Sequence, residues 1–194
     1  MITDTDRSYY IGASDTKYVV GNWDTETFGK WWQVKKGVLT SDANNIYLTA
    51  GNLYEGRILD HLGIDRRNDQ IIIGRLRVNF DGMTDESVIE VKTYKWKPNW
   101  KPPKEYINQT QVEMYAALMD MAYIAAYAMT DDDYKAVLCG QTLDIDDERL
   151  SLHPVFFDKD WINEKYLPKL NYLSKCLREG KFPIKEEFVC MRGL

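Results

Sequence analysis

Between Thr27 and Lys36 the apolar residues Phe28, Trp31, Trp32 and Val34 recur at the spacing of a short amphipathic helix, which Gly37 would end. A second helical pattern runs from Ala50 to Leu62. It carries Leu53, Ile58, Leu59 and Leu62 on its apolar side, Glu55 projecting toward a sheet edge, and Gly63 as its stop. The runs from Gln70 to Gly74, Arg75 to Asp81 and Ser87 to Thr93 predict three successive strands, and the link from Asp81 to Ser87 is short enough for a hairpin. Glu105 to Met121 predicts a longer helix, and Ala122 to Met129 a largely apolar strand covered on both faces. Thr130-Asp-Asp-Asp133 reads as a polar turn. Val137 to Cys139 and Leu150 to Phe157 add sheet pairings, and Asp160 to Leu177 closes the chain with a helix. No linker, repeat or low-complexity break divides the 194 residues, so one α/β domain over 1–194 is expected.

A hydrophobic content of 44% is adequate for a sizeable core, and a formal charge of −5 argues against a basic coating over the whole surface. An anionic partner would therefore have to be met by a local groove. The three cysteines Cys139, Cys176 and Cys190 are far apart and odd in number, and only His61 and His153 supply imidazoles. Neither a disulfide framework, an iron-sulfur cluster nor structural zinc is expected. Residues 1–7 lack the basic start and apolar run of a secretory leader, and no stretch approaches the eighteen or so apolar residues of a membrane span. A cytoplasmic protein with no membrane partner is expected.

The densest chemistry lies between Asn79 and Lys92. With Glu90 and Lys92 two residues apart on a strand, both leave the same face while Ile89 and Val91 enter the other. Asp81 ends the preceding run, and Gly82 suits a tight bend after it. Adjacent strands can thus bring two carboxylates and an amine together. Carboxylate oxygens are what Mg²⁺ prefers, and cutting a phosphodiester requires an activated water and an offset for charge on the leaving oxygen. On charge pattern alone, an ion pair between Glu90 and Lys92 on an exposed sheet face is an equal reading.

A basic run follows at once. Lys92, Lys95, Lys97, Lys101 and Lys104 occur with no acid between Val91 and Lys104, interleaved with Tyr94, Trp96 and Trp100. Lysines there suit a phosphate backbone and an aromatic suits an unstacked base, while Pro98, Pro102 and Pro103 shape a loop rather than a helix. A solvated lid without a ligand is the alternative. Upstream, Gly12-Ala-Ser-Asp15 either caps a short helix or offers amides and a hydroxyl to phosphate.

Taken together, these segments resemble the PD-(D/E)XK nuclease superfamily, and within it the phage-type recombination exonucleases of the lambda exonuclease and YqaJ group. Asp81 and Glu90-Val-Lys92 resemble the metal-site motif, Ile11-Gly-Ala-Ser-Asp15 the phosphate motif, Gly51-Asn-Leu-Tyr-Glu55 the helix with an additional acid, and Tyr106 to Met114 the Gln-x-Gln-x-x-Met helix. The resemblance implies a restriction-endonuclease-like core, a central mixed β-sheet flanked by α-helices. It also implies a Mg²⁺-dependent deoxyribonuclease, with Mn²⁺ as substitute, that digests one strand from a duplex end in phage-type recombination.

By the same resemblance Asp81, Glu90 and the Val91 carbonyl would hold metal, Glu55 would support a second metal, and Lys92 would position or activate water. Ser14 and Arg7 would meet phosphate, and Lys95, Trp96, Lys97, Trp100 and Lys101 would line the DNA path. Gln109 and Gln111 differ by about 200° around a helix and cannot both face one point. Gln111 is the stronger choice for the catalytic site, leaving Gln109 to cap a neighbour or touch DNA. Glu113 departs from the family pattern, where a neutral polar residue is usual, and the acidic turn 130–133 gives no support for DNA contact there. A nicking or restriction-type endonuclease and a noncatalytic DNA-binding module remain alternatives. Linear duplex DNA, a single-strand annealing protein and a homo-oligomer, with a trimeric ring by analogy, are the partners implied, in a phage-encoded protein at work inside a bacterial cell.

Overall fold

The apolar run after Asp120 becomes the strand Met121–Met129, and the chain is organised around it in the computed structural model, which describes residues 8–40 and 45–193. In chain order the elements are β1 (Ile11–Gly12), α1 (Thr16–Val20), α2 (Glu26–Lys35), α3 (Ile46–His61), β2 (Arg66–Arg67), β3 (Gln70–Ile73), β4 (Leu76–Asn79), β5 (Gly82–Met83), β6 (Val88–Lys95), α4 (Lys104–Ala117), β7 (Met121–Met129), α5 (Asp131–Leu138), β8 (Leu150–Phe156), α6 (Leu167–Glu179) and α7 (Lys185–Arg192). Single helical turns at Ala13–Asp15, Asp147–Arg149 and Lys159–Trp161, and a π-helical turn at Ile162–Tyr166, punctuate them.

Two compact units result, one of Met1–Ser41, Ile71–Val78 and Asp158–Leu194, the other of Asp42–Gln70 and Asn79–Phe157. The second is built on a five-stranded sheet of order β2-β5-β6-β7-β8. Only β6 and β7 run parallel, joined by the α4 crossover, and the other neighbours are antiparallel. On one face, Ile89 and Val91 of β6 and Ala125 and Tyr127 of β7 pack with Ala50, Tyr54, Ile58 and Leu59 of α3. Helix α4 packs against β6, β7 and β8 on the other face. The architecture is α/β, a mixed central sheet flanked by helices, in keeping with a restriction-endonuclease-like core.

In the first unit β1 pairs in parallel with β4, and β3 lies on the other side of β4. Its core is aromatic: Phe28 stacks on Trp32, and Trp23 on Tyr172, with ring centres 5.8 and 5.5 Å apart.

Several elements differ from their sequence expectations. Helix α3 begins earlier than the apolar stripe, because Asn45 accepts the Leu48 N–H at 2.8 Å and caps it there. The hairpin partner of β6 is the two-residue β5, too short to leave a period in the sequence, while β4 joins the other sheet. Thr130 to Asp133 is a helix start: Thr130 caps α5 and the Asp133 carboxylate accepts the Thr130 N–H at 2.7 Å. The segment expected as a strand at Val137 to Cys139 is therefore the end of α5.

Gly82 occupies β5 with no room for a side chain. A Cβ there would stand 2.8 Å from Leu59 Cδ2 and 2.9 Å from Ile64 Cγ2, closer than nonbonded carbons approach. Gly82→Ala should cost about 1–3 kcal/mol through overpacking, read as a lowered urea midpoint with unchanged slope.

Candidate active site

Because Ile89 and Val91 are drawn into the α3-facing core, strand alternation turns Glu90 and Lys92 to the α4 side. The ammonium of Lys92 pairs with Glu90 Oε1 and lies 5.1 Å from the centre of the Tyr106 ring. This ion pair is not on an open sheet face: Glu90 is 2% exposed. Asp81, just before β5, accepts the Val91 N–H on Oδ2 at 2.8 Å, so a side chain continues the pairing of β6 beyond the short partner strand.

Helix α4 supplies the rest. Gln109 Nε2 donates to Glu90 Oε1 at 2.5 Å and to Glu113 Oε1 at 2.9 Å. Gln111, expected at this site, donates instead to the Phe156 carbonyl of β8 at 2.8 Å. Helix phase explains the exchange. Gln109 and Glu113 are four residues apart and share a face, whereas Gln111 points well away from both. The i,i+4 spacing of Gln109 and Glu113 was the signal in the sequence that could have found Glu113, which is wholly buried.

These groups act on one another electrostatically. Burial, then the charges of Glu90 and Glu55, push the Asp81 carboxyl well above the usual range. Burial and the charge of Glu90 raise Glu55, half-buried on α3. Glu113 is driven well up by burial and by Glu90 and Asp81. Burial works against the Lys92 ammonium, but the charges of Glu90 and Asp81 outweigh it and hold the group above its ordinary value. The structure thus gathers Glu55, Asp81, Glu90 and Lys92 as the sequence suggested, and adds Gln109 and Glu113.

Among the described residues no group of three or more His, Cys, Asp or Glu side chains is placed to hold a metal ion. The donors nevertheless suit a hard divalent cation, because Glu55, Asp81 and Glu90 offer carboxylate oxygens within electrostatic reach of one another.

The basic run leaves the end of β6 as an exposed loop. Trp96 is held by its backbone N–H on the Met129 carbonyl at 2.9 Å, yet the residue is 60% exposed. Lys97 and Lys101 are exposed, and Lys95 lies 3.3 Å from Asp131. Trp100 stacks on Tyr94 with ring centres 4.0 Å apart and meets the His153 ring edge, so its indole is engaged within the protein. In the first unit Ser14 is exposed on a turn whose Asp15 accepts the Gly12 N–H, the Trp31 indole N–H and the Lys35 ammonium at 2.8, 2.8 and 2.7 Å. That turn is a local cap as well as an offered hydroxyl. Arg7 lies outside the described residues.

No protein-family model and no curated protein matches the chain. Solved structures do. An alkaline exonuclease (LHK-Exo) from Laribacter hongkongensis is 18% identical with a TM-score of 0.62, over 90% of this chain and 93% of that one. The same enzyme in complex with dAMP gives 17% and 0.62, over 92% and 94%. A phage related exonuclease from Haemophilus somnus 129PT is 16% identical with a TM-score of 0.58, over 91% and 100%. At such identities the likeness is one of fold.

Proposed function

We propose that this chain, whose PD-(D/E)XK-like nuclease fold is shared with exonuclease structures, is a metal-dependent deoxyribonuclease that digests one strand from the end of duplex DNA. What supports this most is that Asp81, held on the Val91 N–H, and the buried Glu90–Lys92 ion pair of β6 lie together within that fold, in electrostatic reach of Glu55. A Mg²⁺ ion, or Mn²⁺ in its place, would be held by Asp81, Glu90, the Val91 carbonyl and Glu55, and would supply Lewis-acid polarisation of the phosphate.

The chain's own residues do the rest. The Val91 N–H fixes Asp81, and the Gln109 amide fixes Glu90, so the acids are oriented before substrate arrives. Lys92 sets a positive charge beside the scissile phosphate and orients the attacking water. Lys97 and Lys101, with Lys95, hold the backbone, and the exposed Trp96 stacks on an unpaired base. Ser14 and Arg7 serve as phosphate contacts by family resemblance. The same reading carries a homo-oligomer, with a trimeric ring as analogy, a single-strand annealing partner and a cytoplasmic place of work.

The test compares end-labelled linear duplex, covalently closed circular and single-stranded DNA, with Mg²⁺, Mn²⁺ or EDTA. Metal-dependent shortening of linear duplex alone is expected. Cutting of circles would make the enzyme an endonuclease, and binding without a product on any substrate would make the chain a noncatalytic DNA-binding module.

The basic loop makes a separate prediction. In EDTA, Lys97→Ala and Lys101→Ala should each reduce the slope of log affinity against log salt by about 0.9, measured by fluorescence anisotropy over a KCl series. Lys95→Ala should do less, since Asp131 already competes for its ammonium. Trp96→Ala should cost about 1–3 kcal/mol on DNA with a single-stranded end and leave the salt slope intact.

A further inference from the structure

The chain from the end of β6 to the start of α4 carries Lys95, Lys97, Lys101 and Lys104 with no acid among them, and like charges so close in sequence would spread a free loop. Three aromatic rings hold it in instead. A turn at Pro98 and Asn99 folds the chain back, Pro98 through its fixed φ and Asn99 through a φ of 53°, which asparagine tolerates better than most residues. The turn returns Trp100 to Tyr94 of β6, with ring centres 4.0 Å apart and planes within 10° of parallel. The His153 ring of β8 meets the same indole at 5.6 Å and 64°. Ser151 steadies that ring, its Oγ lying 3.0 Å from His153 Nε2 and donating to the Ala126 carbonyl at 3.3 Å. Strand β7 lies between β6 and β8, and it is alanine where it pairs with Tyr94 and Ser151, at Ala128 and Ala126. Small side chains there let one indole reach from the first strand to the third.

We propose that Trp100 is a positioning residue whose indole, seated between Tyr94 and His153, latches the basic loop onto the sheet and presents Lys97, Lys101 and Trp96 to DNA in a fixed arrangement. The inference rests on the nuclease reading for its ligand, but not for the latch. Two tryptophans four residues apart divide the work: Trp96 is exposed to a base, and Trp100 is half-buried as the anchor. Trp100 touches no DNA in this role. It raises affinity because a loop already held in place has less ordering to undergo on binding.

The experiment is limited trypsin digestion of the full chain without metal or DNA, beside fluorescence anisotropy on blunt duplex DNA in EDTA. Pro98 and Pro102 shield the bonds after Lys97 and Lys101 from trypsin, so cleavage after Lys95 reads opening of the loop. Trp100→Ala should speed that cleavage and weaken DNA binding, each about 2- to 10-fold, with the salt slope unchanged because no phosphate contact is lost. Trp100→Phe, which keeps a ring over Tyr94, should restore most of both. His153→Ala, outside the loop, should move both in the same direction as Trp100→Ala. Weaker binding with wild-type cleavage would make Trp100 a DNA contact and overturn the latch. Faster cleavage with unchanged binding would overturn the positioning role. Wild-type protein that binds no DNA would sink the nuclease reading and the positioning role together, while the cleavage rates would still decide whether the latch exists.

Discussion

Asp81→Asn should lower single-turnover DNA cleavage by about 10³-fold at saturating Mg²⁺, because several kcal/mol of charge stabilisation are removed at about 1.4 kcal/mol per factor of ten. The shape survives, since an asparagine oxygen can still accept the Val91 N–H. DNA affinity in EDTA should therefore change little, as the exposed lysines that would hold the backbone lie elsewhere. Stability should move the other way. Burial, Glu90 and Glu55 raise the Asp81 pKa, so the ionised form is disfavoured in the fold. A carboxyl raised in this way takes stability away as pH climbs from the ordinary carboxylate range through its folded value. Asp81→Asn removes that loss, and the metal-free variant should unfold at a higher temperature than wild type at neutral pH. Dead chemistry in a sturdier protein is the signature of a group kept for function. Near-wild-type cleavage by the variant would end the mechanism.

The largest loss of stability should come from Asp133→Ala. This carboxylate is wholly buried at the start of α5, where Oδ1 accepts the Tyr54 hydroxyl at 2.8 Å and Oδ2 takes the Thr130 N–H and hydroxyl at 2.7 and 2.8 Å. The Arg149 guanidinium pairs with Oδ2 as well. Removing Asp133 leaves the mostly buried Arg149 guanidinium with Asp146 as its remaining carboxylate at 3.1 Å, takes the acceptor from the Tyr54 hydroxyl and uncaps a helix, which together should cost about 3–5 kcal/mol in urea unfolding at pH 7. Burial by itself would raise the Asp133 pKa, but the hydrogen bonds from Thr130, Tyr54 and Arg149 lower it below the usual value. A depressed carboxyl contributes its full stability above its unfolded pKa of about 3.9 and loses it as pH falls through the folded value. Wild-type stability should thus drop below about pH 4, and the variant's curve should be flatter there. A variant with wild-type stability at pH 7 would show the network to be dispensable.

Glu90 and Lys92 were legible because a strand has a period of two, and a buried core on one face leaves the other to polar groups. Glu55 was legible from its helix and from family resemblance together. The exchange of Gln109 and Gln111 was not, because helix phase alone names two opposite faces, and only the docking of α4 on β6 chooses between them. The two-residue strands β2 and β5 were beyond reach, since two residues show no periodicity. Thr130 to Asp133 was misread despite carrying a helix-start signature, since three consecutive acids look like a solvated turn until one of them is seen to be buried against Arg149. Glu113 was noticed as a departure from the family pattern, and its burial beside Gln109 was not legible until α4 was docked.

The bond from the Val91 amide to Asp81 gives the protein a built-in spectroscopic handle. Most strand amides report on the backbone across from them, but this one reports on a side chain that is proposed to change partners when an ion arrives. Its nitrogen and proton resonances in nitrogen-15-enriched protein, assigned through the Val91 neighbours, would follow occupancy of the site without DNA, turnover or an attached probe, and its exchange with solvent deuterium would time how often the carboxylate lets go.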